Sequence, residues 1–482
     1  MIKSISLKNK DRYIVCIAAF FLYFVLGFIC NYINGFDLNV FFGTDNFRAF
    51  GDFAYVDANH YRVKVHPLLL VLWQPLFAFF KFLFSDVVLA VITVHAACGA
   101  ACVGLVYSFL LKFVERKRVV LFTLIYTFSF GMIVFSGSCE THIFSGLMIN
   151  LLIYYGYELL TSNEPLKRTQ KLILAFIGVG CFGTTITNVV MFVILVFFLV
   201  FSKIKTKKLM NLIEIFLYFS FMAGFLLVVQ KIAWRHSPVF FITLLDAFFD
   251  KTSFEEYNYL NTTFSIEKAC EWYRQMFCYP VISSDVDIFY VESLDFFYVD
   301  FEKTSIFNYI ICGTFYLMFI FSGIRYYVKK GKHRFITSVL LCLLAFNYCF
   351  HFFYGYTGAF MYSPFYLSML IILFAIFTND IKGVSNFMTA FFVYQAINNI
   401  IMYAMVIIDL RTIYGTGHQF IRLLLKLVCV IVVYGLILIG YKFINKKPKN
   451  ASFEEKLKKV FLSYGAWMLI YSFFVFIGQW RA

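Results

Sequence analysis

Apolar runs alternate with short polar segments along most of this chain of 482 residues. Each run is roughly 15 to 25 residues long, the length at which a helix crosses the hydrocarbon core of a bilayer. The first run, residues 13–31, is too long for a secretory signal, and no pattern of small residues for cleavage follows it. We therefore expect an uncleaved first span and an all-α polytopic membrane protein.

Lysine and arginine are grouped in the polar segments between the runs: residues 3–12, 112–118, 167–171, 203–208, 325–334 and 442–459. Because basic loops stay on the cytoplasmic side, we place every cluster there, so the chain crosses an even number of times between two clusters. The predicted spans cover residues 13–31, 87–111, 119–136, 143–160, two crossings within 172–202 that turn near 184–188, 211–231, 306–324, 336–350, 364–378, 384–408, 421–441 and 460–478. This predicts about thirteen helices, with the N-terminus inside and the C-terminus outside.

The first long outer loop, residues 32–86, follows from the same parity. Three apolar runs lie between the first two basic clusters, but only two of them can span. The run 66–84 contains Pro67, Pro75 and Lys81, which make it the poorest span of the three. We expect it to form a helix that lies along the outer membrane interface.

A second long outer loop covers residues 232–305 and carries twelve acidic residues against five basic ones. This acidic excess supports a position outside the basic cytoplasmic face. Cys270 and Cys278 lie in this loop and form a plausible disulfide pair in an oxidising compartment. We find no repeat and no separate soluble domain, so residues 1–482 are predicted to form one integral membrane domain.

Composition agrees with the membrane class, since 61% of the residues are hydrophobic, 14% are charged and the mean hydropathy is +0.79. The formal net charge of +15 comes from the cytoplasmic clusters. Orientation in the membrane therefore explains the basic residues, and we expect no nucleic-acid partner.

Charged residues crowd into one stretch of the first outer loop, Gly43 to Leu68. On a helix, Asp45, Arg48 and Asp52 would share one face, with phenylalanines on another, which predicts an interfacial helix with its charges turned to water. In an extended segment, four potential cations would then line up on one side: His60, Arg62, Lys64 and His66. Carboxylates beside a cationic strip suit a reaction on a lipid phosphate; a plain solvated amphipathic helix is the alternative.

The Asp-x-x-Arg motif at Asp45 and Arg48, followed by "KVHPLLLVLW" from Lys64, resembles the GT-C membrane glycosyltransferases, above all the protein O-mannosyltransferase and lipid A aminoarabinose transferase family. The resemblance implies a GT-C-like bundle and a sugar donor linked to polyprenyl phosphate. It implies that Asp45 deprotonates the acceptor beside Arg48, and that Arg62, Lys64 or His66 meets the donor phosphate. Asn46 follows Asp45 where the family often has Glu, so Asp52 and Asp57 stay as rival bases.

Later segments add candidates at the outer ends of spans. The resemblance implies that the sugar or acceptor meets His60 of the first loop, Glu140 and His142 in "SGSCETHIFSG", and His351, Tyr354 and Tyr362 in "HFFYGYTGAFMYS". Solvated loop ends and an interfacial aromatic belt are the alternative explanations for these residues. Arg411, in "DLRTIYGTGHQF", is a weaker candidate for the phosphate.

No cofactor is predicted. Asp285-x-Asp287 matches the metal motif of nucleotide-sugar transferases only weakly, so a divalent metal has no support and no metal ligands are assigned. The expected function is transfer of one sugar from a polyprenyl-phosphate donor to a glycan or glycolipid of the cell envelope, of the O-antigen or lipopolysaccharide type, at the outer face of a bacterial inner membrane. The alternatives are a surface-polysaccharide polymerase or ligase and a transporter or lipid flippase, for which His95 and Glu214 are the ionisable residues within spans.

Overall fold

The computed structural model describes residues 2–33, 40–41, 46–58, 60–162, 165–203, 208–238, 264–291, 296–301, 305–414 and 453–481. Sixteen α-helices lie in these ranges: α1 Ile2–Ile33, α2 Asn46–Ala54, α3 Leu69–Phe84, α4 Val87–Leu110, α5 Arg116–Thr127, α6 Phe130–Gly137, α7 His142–Thr161, α8 Arg168–Thr184, α9 Val189–Lys203, α10 Lys208–Ala233, α11 Ile266–Tyr273, α12 Ile306–Val328, α13 Arg334–Phe353, α14 Ser363–Phe377, α15 Val384–Tyr414 and α16 Phe453–Arg481. Short 3₁₀ turns cover Tyr61–Lys64, Ile186–Asn188 and Tyr356–Tyr362, and a π-helical turn covers Arg274–Cys278.

A small sheet of three strands interrupts the helical pattern that the sequence predicts. Its strands are β1 Val40–Phe41, β2 Val286–Val291 and β3 Phe296–Phe301, in the order β1-β3-β2. β2 and β3 form an antiparallel hairpin, and β1 pairs with β3 in parallel. The sheet therefore joins the two segments that were predicted as long outer loops.

Within the described ranges, eight helices are long and apolar enough to cross a membrane: Asp11–Ile29, Val87–Leu110, His142–Thr161, Leu209–Ala233, Ile306–Val328, Arg334–Phe353, Gly358–Phe377 and Val384–Val406. α5 and α6 meet at an angle of 59° and would count as a ninth span if taken together. The class of a multi-pass helical membrane protein is thus confirmed. α8 and α9 meet at the predicted break near 184–188, whereas the predicted span 421–441 lies outside the described residues.

Basic segments from distant parts of the chain meet at one end of the bundle, which we call the basic end. Asp11 of α1 pairs with Arg116 at 2.5 Å, and the ring of Phe113 lies 4.9 Å from that of His333. Arg118 donates to the backbone oxygen of Ile381 at 3.0 Å. This clustering is what the parity of the basic segments predicts.

The first loop packs at the opposite end of the bundle, where α3 begins and the helix α8 ends. The backbone N–H of Leu68, just before α3, donates to the oxygen of Gly183 at the far end of α8. Near the other end of α3, Lys81 donates to the backbone oxygen of Ala54 at 3.3 Å. With 16 residues, α3 is also shorter than the eight helices that are long enough to cross a membrane.

α1 and α6 approach so closely that their backbones touch. A Cβ added at Gly27 would lie only 2.6 Å from the backbone oxygen of Gly137. Small residues allow such close packing between helices in membranes. Because Gly137 ends α6, this contact positions the turn that leads to Glu140.

Candidate functional site

The segment from His60 to His66 is folded rather than extended, so the prediction of one cationic strip is wrong. Residues 61–64 form a 3₁₀ turn, and His60 before it adopts left-handed backbone angles, φ 50° and ψ 28°. A 3₁₀ turn has three residues per turn, so alternate side chains point in different directions. Arg62 and His66 are buried inside the bundle, while Lys64 is half-buried.

Backbone hydrogen bonds hold this segment against the turn between α8 and α9. Ile186 donates its N–H to the oxygen of Val65 at 3.1 Å, and Leu68 donates to Gly183 at 3.0 Å. Gln230 of α10 adds a clamp, since its amide donates to Pro67 at 2.7 Å and accepts from the N–H of Val71 at 3.2 Å. The position of Arg62 and His66 is therefore set by the turn between α8 and α9 and by Gln230 of α10.

Arg62 forms a buried ion pair with Glu140, which lies in the turn between α6 and α7. The guanidinium Nη2 donates to Oε1 of Glu140 at 2.5 Å and to Oγ1 of Thr141 at 3.3 Å. Oε1 also accepts from the N–H of Thr141 at 2.7 Å. Burial alone would raise the pKa of Glu140, but Arg62 and then His142 hold this pKa well below its usual range. The pair is thus charged at neutral pH.

His66 lies beside this pair as a neutral imidazole. Its Nδ1 donates to the backbone oxygen of Thr184, which leaves Nε2 as an acceptor 3.3 Å from Oγ1 of Thr141. Burial, reinforced by the charge of Arg62 and by His142, lowers the pKa of His66 to about 3. The site therefore contains an unprotonated ring nitrogen next to a fixed ion pair.

Three of the remaining candidates form an aromatic wall on the other side of Glu140. His142 Nδ1 lies 3.3 Å from Oε1 of Glu140, and its ring centroid is 5.3 Å from that of Tyr362. The rings of His351 and Tyr362 stack at 3.8 Å. His351 Nδ1 also lies 3.3 Å from the backbone oxygen of Tyr354. Residues predicted from separate segments are thus neighbours in one site.

Asp52 and His60 form a second pair, and the predicted orientation of Asp52 toward water is wrong. Asp52 is 3% exposed, and its Oδ1 lies 3.0 Å from Nδ1 of His60. Nε2 of His60 faces the backbone oxygen of Val56 at 2.7 Å and must donate to it, since a carbonyl only accepts. His60 therefore bridges Asp52 to the backbone at Val56.

Two polar residues inside apolar helices support the site and were not assigned to it from the sequence. His95 of α4 donates through Nδ1 to Val91 at 2.8 Å, and its Nε2 accepts from the N–H of Glu140 at 3.1 Å. Gln74 of α3 donates to the backbone oxygen of Asp52 at 3.0 Å and accepts from the indole of Trp234 at 2.5 Å. In the sequence, the only signal for His95 and for Gln74 was a single polar residue within an apolar run.

Other candidates stay apart from this site or lie outside the described part of the chain. Asp45 is not among the described residues, and for Arg48 in α2 only the helical backbone is described. Asp57 is exposed. Arg411 lies in the last turns of the helix Val384–Tyr414, beyond Val384–Val406, the part that could cross a membrane. As for Arg48, only the helical backbone of Arg411 is described.

The predicted disulfide in the second loop does not form. Cys270 and Cys278 are both free thiols, the first exposed and the second buried. Cys278 instead packs near Cys312 of α12, whose sulfur lies 4.0 Å from the backbone oxygen of Cys278. Asp285 is exposed, and the residues described here contain no group of three or more histidine, cysteine or acidic side chains arranged for a metal ion.

The fold and this cluster define a multi-pass helical membrane protein with a buried ionisable site at the end opposite its basic segments. No family model, curated protein or solved structure matches the chain.

We expect His66 to make the folded protein less stable in acid. Its pKa is about 3 when folded and about 6.5 when unfolded, so below pH 6.5 the unfolded chain binds a proton that the folded one excludes. The contribution of neutral His66 to the free energy of unfolding is fully present above pH 6.5 and is lost as the pH falls toward 3. Between pH 7 and 5 the loss is about 2 kcal/mol.

The variant His66→Asn keeps a donor for Thr184 but does not titrate, so it should lose about 2 kcal/mol less over the same interval. Denaturant unfolding of both proteins in micelles at pH 7 and 5 measures the difference. Equal losses in the two proteins would contradict the neutral, buried state of His66.

Proposed function

We propose that the protein is a GT-C-type glycosyltransferase, which moves a single sugar from a polyprenyl-phosphate-linked donor to a cell-envelope acceptor of the O-antigen or lipopolysaccharide type. In this proposal the site faces the periplasm at the bacterial inner membrane. The N-terminus is cytoplasmic and the C-terminus periplasmic, with about thirteen crossings in all. Residues 32–86 form the outer loop that carries the catalytic motif, and α3 lies along the membrane interface.

The observation that carries the proposal is the insertion of the first loop into the bundle. Arg62 from this loop pairs with Glu140, and His66 and His142 surround the pair. Ionisable side chains buried at membrane depth are costly, and they usually mark a functional site. A site at one end of the bundle suits a substrate whose charged head lies at the membrane surface and whose lipid tail stays in the bilayer.

Within this proposal the residues have distinct roles. Asp45 keeps the role of the base that accepts the proton of the acceptor hydroxyl. We assign the donor phosphate to Lys64, a half-buried cation of the same turn as Arg62, whose guanidinium pairs with Glu140. Tyr362 is partly exposed and stacks on the buried ring of His351 at 3.8 Å, so its ring offers the aromatic surface for a sugar.

The positions of His95 and Glu214 favour an enzyme over an ion-coupled transporter. A proton or ion pathway needs ionisable groups that follow one another across the membrane. His95 belongs to the site through the backbone of Glu140, whereas Glu214 pairs with Lys171 at 2.6 Å near the start of α8, at the basic end. The two residues therefore lie at opposite ends of the bundle.

The direct test gives the purified protein a panel of polyprenyl-phosphate sugars together with lipopolysaccharide acceptors, and measures transfer of labelled sugar. We expect transfer from one donor only, with a single sugar added per acceptor site. Addition of long repeat chains would identify a polymerase or ligase instead. Uptake of solute or movement of lipid in vesicles, without transfer from any donor, would overturn the proposal in favour of a transporter.

A further inference from the structure

A cavity of about 290 Å³ lies between α8, α10 and α16, away from the site described above. Its walls are apolar and include Leu172 and Phe176 of α8, Met222 of α10 and Phe461 of α16. The rings of Phe176 and Phe461 are 4.5 Å apart. Leu462, which also lines the cavity, is exposed, so the cavity opens on the outer surface of these helices.

The polar part of this cavity lies at its basic end. Along α8 the lining residues Thr169, Leu172 and Phe176 follow at intervals of three and four, so they form one stripe. Along α16 the lining begins at Lys458 and continues to Phe461 in the same way. Thr169 and Lys458 are the first lining residues along α8 and α16, and the lining residues that follow them in each helix are apolar. The lining therefore begins at Thr169 and Lys458, an end that we call the mouth of the cavity, and it is apolar beyond them.

Positive charge surrounds the mouth. Arg168 donates through Nε to the hydroxyl of Tyr218 at 3.2 Å, which places it beside the cavity. The acidic residue of α10 in this region, Glu214, is already paired with Lys171. Among the side chains that the structure describes near the start of α8 and α16, the exposed charged ones are Lys167, Arg168, Glu455, Lys458 and Lys459, four basic residues and one acidic.

We infer that this cavity binds one membrane lipid with an anionic phosphate headgroup, seated with the phosphate at Lys458 and Thr169 and one acyl chain along Phe176. An acyl chain leaving bulk lipid gains little from an apolar wall, because the bilayer is equally apolar. Selectivity must then come from the headgroup, and basic residues at the membrane surface attract acidic lipids. The inference does not depend on the proposed enzyme activity.

Native mass spectrometry of the purified protein tests this, with phosphatidylglycerol and phosphatidylcholine of identical chains as the two probes. We expect one phosphatidylglycerol to be retained at least about five-fold more tightly than phosphatidylcholine, the effect of one lysine near a phosphate. Lys458→Gln should remove about five-fold of this preference. Lys459→Gln is the matched control, because Lys459 is an exposed neighbour that does not line the cavity.

Leu172→Trp fills the cavity and should abolish retention of the bound lipid, while the elution profile of the protein in micelles shows that it stays folded. Equal retention of the two lipids would overturn the inference. So would equal effects of the two lysine variants, because the attraction would then belong to the whole basic surface. Retention of phosphatidylglycerol by a folded Leu172→Trp protein would also overturn the inference.

Discussion

Replacing Glu140 by methionine is expected to cost about 3 to 5 kcal/mol of unfolding free energy. The substitution leaves the guanidinium of Arg62, which is 8% exposed, inside the bundle without its counter-charge. It also removes the acceptor for the N–H of Thr141. A buried charge that loses its partner keeps its desolvation cost but loses the attraction that offset it.

Unfolding of the protein by denaturant in mixed micelles measures this loss. Glu158→Met is the matched control, because Glu158 pairs with Lys112 but is 38% exposed, and solvent-exposed pairs contribute less than about 1 kcal/mol. The double variant Arg62→Met/Glu140→Met should recover most of the stability, since two packed apolar side chains replace the pair. Equal losses at Glu140 and Glu158 would show that the buried pair does not hold the first loop in place.

Replacing Asp45 by asparagine is expected to lower the rate of sugar transfer by about 10² to 10⁴-fold, the usual contribution of a general base. Asparagine keeps the size and polarity of the side chain but cannot accept the proton of the acceptor hydroxyl. Transfer of labelled sugar at saturating donor measures the rate. Asp57→Asn tests the exposed rival carboxylate of the same loop, and with Asp45 as the base it should leave the rate near that of the wild type.

Asp52→Asn distinguishes the base from its buried neighbour. Asp52 is hydrogen-bonded to His60 inside the bundle, so its loss should lower stability as well as activity. A wild-type rate in Asp45→Asn, together with a large loss in well-folded Asp52→Asn, would move the role of the base to Asp52. Wild-type rates in all three variants would contradict carboxylate catalysis by this loop.

The membrane class and the grouping of the basic segments could be predicted without coordinates, because both depend on local properties of the chain. Within a bilayer, an apolar run must satisfy its backbone hydrogen bonds internally, which it does as a helix. The break within residues 172–202 followed from charge parity alone. These inferences needed only the order of residues along the chain.

Side-chain directions in the first loop could not be predicted in the same way. The alternation of His60, Arg62, Lys64 and His66 fits a strand, yet backbone hydrogen bonds to Gly183 and Ile186 stabilise a 3₁₀ turn. Asp52 looked solvent-exposed on an amphipathic helix, but α2 is covered by α3 and by His60. A local pattern does not record which distant segment will cover it.

The sequence by itself determined that the chain is a multi-pass helical membrane protein, and it identified Arg62, His66, Glu140, His142 and His351 as candidates for chemistry. Only the tertiary structure decided that Arg62 pairs with Glu140, that His66 is neutral beside them, and that His95 supports them from within α4. The physical reason is the difference between local and distant forces. Hydropathy acts on each run separately, whereas a buried charge is stable only beside a partner that the fold brings from far along the chain.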